Sequence, residues 1–133
     1  MSTLLAAYLW TNAVLYAAFG LMCLFRPLKT AKALGFEVLA PHGTVEYVTV
    51  YGGMQVGFAA FFALGASRGM DGAMWTLWFA LCLYAPIVLV RWTALLAVPG
   101  SKPGLAWGLA GLEALLLAAG VLLAVQAQSP AAG

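Results

Sequence analysis

Polar positions are sparse along this chain, and four long apolar stretches are set off by glycine, proline or charge. A helix needs about 20 predominantly apolar residues to cross the hydrocarbon core of a bilayer. The pattern predicts spans over residues 3–25, 44–67, 73–98 and 105–127. The first stops at Arg26-Pro27, and Pro41-His42-Gly43 opens the second. The turn Arg68-Gly69-Met70-Asp71-Gly72 separates the second from the third, and a Pro/Gly-rich break over 99–104 leads to the fourth. Glycine and proline punctuate every boundary, as turn chemistry requires, and isolated glycines inside membrane helices are tolerated. The expectation is an all-α fold, an integral membrane four-helix bundle forming one transmembrane domain over 1–133. In the longest connector, residues 28–34 carry Lys29 and Lys32 on one helical face before Gly35. That segment reads as a short interfacial helix or as a solvated loop.

Composition agrees with this reading. Of 133 residues, 65% are hydrophobic and only 8% charged, with a mean hydropathy of +0.99. Soluble domains carry about 25% charged residues, so there are too few polar groups here to cover a water-facing surface. A net charge of +2, widely scattered, excludes nucleic acid as a partner and leaves the lipid bilayer as the first one. No Lys or Arg precedes the first apolar run, which is also long for a cleaved leader, so it reads as a retained span. Cys23 and Cys82 lie in apolar stretches without metal-type spacing and read as small buried hydrophobes.

Orientation follows the basic residues. Arg26, Lys29, Lys32 and Lys102 share one side, against Arg68 beside Asp71 on the other, which puts both termini on the extracytoplasmic face. Trp75 and Trp78 then fall in the outer aromatic belt, with Tyr47, Trp92 and Trp107 nearer the inner one.

Ionisable groups inside a span cost at least about 2.5–3.5 kcal/mol and so need partners or a function. Glu46, Arg91 and Glu113 are the candidates. At about 1.5 Å rise per residue, Arg91 and Glu113 lie at matching depths, roughly 10 Å and 12 Å, on helices joined by a short turn. An ion pair is expected. Glu46 sits close to the start of its helix, where the macrodipole favours a carboxylate. It is either a first-turn interfacial acid or a second carboxyl leaning toward Arg91, which would leave one of the two acids with a proton to give.

Neutral polar residues extend the pattern. Tyr8, Asn12 and Tyr16 recur every fourth residue, and Gly20 continues the stripe. Tyr51 and Gln55 share a face one turn apart, and Tyr84 and Arg91 share one two turns apart with Pro86 between them. On a straight second span Glu46 falls on the side of Gly53 and Gly57, well round from Tyr51 and Gln55. Gly53 and Gly57 form a small-xxx-small pair suited to close packing. Pro86 removes a backbone hydrogen bond and frees the Cys82 carbonyl, either to open a cavity or simply to shape the packing. Asn12 and Gln55 could equally hold the bundle together by interhelical hydrogen bonds.

His42 stands alone in a loop, so no metal is implied, and no cofactor fingerprint, phosphate loop or nucleophile elbow occurs. The run Tyr51-Gly52-Gly53-Met54-Gln55-Val56-Gly57 after Glu46, with the lone Arg91, resembles the small four-span bacterial membrane proteins grouped as domain of unknown function 4345. The resemblance covers nearly the whole chain and implies a bacterial inner-membrane bundle. It singles out Tyr51, Gly53, Gln55 and Arg91, and it brings no activity with it.

Two functions fit these residues. One is a pocket for a hydrophobic or lipid-like molecule, with Arg91 fixing an oxygen or acidic group. In its strong form this is a cofactor-independent acid–base enzyme of the isomerase or epoxide-opening type. Arg91, Glu113 and Glu46 would be catalytic, and Asn12, Tyr16, Tyr51, Gln55 and Tyr84 would orient the substrate. The other is a small proton-coupled transporter, as a homo-oligomer, or a structural accessory subunit. Transport is disfavoured by the lack of an acidic residue in the first span and of an inverted repeat.

Overall fold

The computed structural model describes residues 2–36, 40–98 and 104–128, which are almost wholly helical, with no strand among them. Four helices are long and apolar enough to cross a membrane: α1 (Thr3–Phe25), α3 (Pro41–Ser67), α4 (Gly69–Ala97) and α5 (Gly104–Gln128). A short helix, α2 (Pro27–Ala33), follows α1 directly. The helical alternative for the first connector is therefore the observed one. The Phe36 amide donates to the Ala31 carbonyl past Gly35, whose φ of +93° only glycine adopts readily.

Element boundaries follow local chemistry. Ser2 caps α1 through its hydroxyl, which accepts from the Leu5 amide at 3.2 Å. Proline occupies the first position of both α2 and α3, where its missing N–H costs nothing. Helix α3 thus begins at Pro41, three residues before the expected start, and His42 and Gly43 belong to its first turn. Helix α4 likewise begins at Gly69. The reversal needs only Arg68 and the positive φ of Gly69, so Met70, Asp71 and Gly72 are helical.

The long helices pack antiparallel. Gly20 of α1 meets Gly52 and Val56 of α3, Gly65 of α3 meets Thr76 of α4, and Arg91 of α4 meets Glu113 of α5. The largest core is built around Leu9, Phe62 and Leu77, all completely buried. A second, smaller core lies under α2, around Cys23, Ala31 and Tyr47.

Some expectations fail here. Gly53 and Gly57 are exposed, and no atom would touch a Cβ added at Gly57. The close helix crossing uses Gly20 and Gly52 instead. The cause is a π-helical segment, Val48–Gly53, inside α3. Its i→i+5 bonding shifts the phase of every residue on one side relative to the other. Tyr47 is buried in the smaller core rather than part of the inner aromatic belt, and Cys82 is exposed rather than buried.

Candidate functional site

Asn12 anchors the polar interior. It is 0% exposed, and both ends of its amide are used. Its Nδ2 donates to the Tyr8 carbonyl one turn earlier at 2.8 Å, and its Oδ1 accepts from the Tyr84 hydroxyl at 2.5 Å. The Tyr8 hydroxyl in turn donates to the Leu116 carbonyl of α5 at 3.1 Å. Gly120 makes room for it, because a Cβ there would lie 2.9 Å from that oxygen. Three helices are thereby tied by buried hydrogen bonds, which are costly to leave unmade. Tyr16, next on the same stripe, stacks on Phe62 at 5.6 Å between ring centroids and neighbours Tyr84 at 6.4 Å.

Arg91 and Glu113 form the expected ion pair, closed as a fork. Arg91 Nε donates to Glu113 Oε2 at 2.5 Å and Nη2 to Oε1 at 2.8 Å. Such two-point pairing fixes both planes as well as the distance. Glu113 is 16% exposed and Arg91 35%, so the arginine is the member that reaches outward. Both Glu113 oxygens are occupied. A guanidinium carries five N–H groups, of which the fork uses two. The remaining three, on Nη1 and Nη2, have no acceptor among the described residues. Tyr16 and Tyr84 lie within electrostatic reach of the Glu113 carboxylate. Hydrogen bonds join Tyr8, Asn12 and Tyr84, a ring contact adds Tyr16, and the Arg91–Glu113 fork is a separate pair.

An open apolar groove of about 640 Å³ starts at Pro86 and follows α4 past Ile87, Val90, Ala94 and Val98, with Arg91 as its polar member. Every lining residue belongs to α4 or its cap, so this is a surface groove along one helix and not a cavity enclosed by the bundle.

Glu46, Tyr51 and Gln55 do not join either group. Glu46 is exposed and forms no ion pair among the described residues, so two carboxyls do not flank the guanidinium. Tyr51 stacks on Tyr47 at 4.9 Å and meets Phe36 edge-on at 5.9 Å, in the smaller core. Gln55 packs its stem near Gly20 and reaches only the Val50 carbonyl of its own helix, at 3.5 Å.

That smaller core holds a group the sequence did not mark. The Tyr47 hydroxyl donates to Thr30 Oγ1 at 3.0 Å and lies 3.5 Å from Cys23 Sγ. These residues come from α1, α2 and α3, and only the chain reversal joins them. Their spacing of 17 and 24 residues carries no periodic signal. His42 is exposed, and no group of three metal-binding side chains occurs among the described residues. Comparison with protein-family models, curated proteins and solved structures gives no match.

Proposed function

We propose that the chain is an integral membrane protein that binds an apolar molecule carrying a neutral oxygen acceptor, such as a ketone, ester or alcohol, in the α4 groove. The three unused N–H groups of Arg91, beside an apolar groove along the last turns of α4, carry this reading. Donors in a dry environment cost free energy until an acceptor meets them. Glu113 already neutralises the guanidinium, so an added anion would face the carboxylate, while a carbonyl or hydroxyl oxygen would not. The enzyme form receives less support, because Glu113 has both oxygens engaged and Glu46 is elsewhere. The membership in the four-span bacterial family drawn above, the inner-membrane location and the outward-facing termini belong to the same proposal. Thiol labelling of Ser2→Cys from outside, in a chain free of Cys23 and Cys82, tests the orientation. Protection at that position would reverse it.

A structural accessory role is the second reading, favoured by the filled core and the satisfied Tyr8–Asn12–Tyr84 network. A photoreactive long-chain ketone separates the two. Binding at the groove predicts adducts within residues 86–98, competed by unlabelled ketone and lost in a folded Arg91→Gln/Glu113→Gln variant. It also predicts loss in Ala94→Trp, which fills the groove. Labelling that ignores both changes would leave the structural role.

A further inference from the structure

A second groove, of about 940 Å³, lies between α1, α2 and the start of α5. Its walls are apolar, with Phe19 and Met22 from α1 opposite Leu105 and Leu109 from α5. Its rim is basic. Arg26 and Lys29, on either side of the α1–α2 junction, both line it. Neither cation has an ion-pair partner among the described residues. The connector's one acid, Glu37, lies outside the described residues. Among the described residues, no acidic side chain lines the groove.

We infer that this groove holds one anionic phospholipid, its phosphate on Arg26 and Lys29 and one acyl chain running down between Met22 and Leu109. The charge pattern selects this occupant. An apolar slot alone would accept any tail, and two cations alone would accept any anion. Together, at the end of helices long enough to cross a membrane, they match a molecule with a phosphate at one end and a chain at the other. The junction also places the charge. Pro27 begins α2 immediately after Arg26, so both cations fall where the chain leaves α1 for α2. Lys32, further along α2, does not line it.

The site is separate from the Arg91 groove and shares no residue with it. Native mass spectrometry of the detergent-solubilised full chain, titrated with phosphatidylglycerol or phosphatidylcholine, tests it. The expected result is a one-to-one phosphatidylglycerol adduct that phosphatidylcholine does not match. Arg26→Gln/Lys29→Gln should weaken that adduct about thirtyfold, as two surface cations acting on one headgroup predict. Lys32→Gln is the charge-matched control for one cation and should change it little. Leu109→Trp should block the chain and lower binding without altering charge, with circular dichroism confirming that every variant is folded. Equal uptake of both lipids overturns the inference, as does a double variant that still binds phosphatidylglycerol like the original chain. Free phosphate competing away the lipid with no effect of Leu109→Trp would also overturn it, reducing the site to a surface anion contact.

Discussion

Replacing Arg91 by glutamine leaves Glu113 with neither of its two donors. Breaking a buried pair from one side costs about 3–5 kcal/mol, because the remaining charge is stranded. The fork here is unequally covered, with Glu113 at 16% exposure and Arg91 at 35%. Arg91→Gln strands the better-buried partner and should cost about 4 kcal/mol. Glu113→Gln strands a guanidinium that already reaches outward, and about 2–3 kcal/mol is expected. With both changed, two neutral amides can face each other at the α4–α5 contact, and the loss should fall to about 1–2 kcal/mol. The coupling between the two positions is then at least about 4 kcal/mol. Unfolding by SDS in mixed micelles, followed by circular dichroism, measures all three variants. Losses that simply add would show that the side chains do not depend on each other. An equal cost for the two single variants would remove the argument from unequal burial.

Tyr84→Phe should cost about 1–3 kcal/mol in the same assay, since it leaves the buried Asn12 Oδ1 without a donor. Adding Asn12→Leu should recover part of that loss, and no recovery would mean the hydrogen bond is not what the tyrosine contributes. Gly65→Ala should cost about 1–3 kcal/mol, because its methyl group would fall on the Thr76 side chain. Gly57→Ala meets nothing and should lie within about 0.5 kcal/mol of the original chain. A reversed order for these two glycines would refute the crossing geometry.

The four long helices were legible because each is a long apolar run of the length a bilayer crossing needs, with glycine and proline at its ends. Errors at the ends of α3 and α4 came from treating Pro41 and Gly69 as parts of loops, when one begins a helix and the other completes a turn by its φ alone. The Arg91–Glu113 pair was legible because a short turn between the third and fourth stretches fixes both depth and adjacency. The Tyr8, Asn12, Tyr16, Gly20 stripe was legible for a similar reason, since α1 is regular and its four-residue spacing holds. In α3 the same arithmetic failed. Angles reckoned at 3.6 residues per turn do not survive the wider turn at Val48–Gly53, so the roles of Glu46, Tyr51, Gly53 and Gln55 could not be read from spacing.

That wider turn also makes the chain's length through this stretch a variable with a definite geometric effect. Removing one residue between 48 and 53 would let α3 close as an ordinary α-helix while turning everything before it by about 100° about the axis. Tyr47 would swing off Thr30 and Cys23, and the cysteine, now 0% exposed, would lose its cover. Such a deletion keeps every span long enough and every apolar face apolar. Yet Cys23 should change from inert to reactive toward a membrane-permeant maleimide, and continued inertness would show that the extra residue does not set the phase. The segment thus works like the offset between two combination-lock dials. Its sequence matters less than its count, and one-residue length changes there, unlike most substitutions on the exposed helix faces, would be read by the whole of the smaller core.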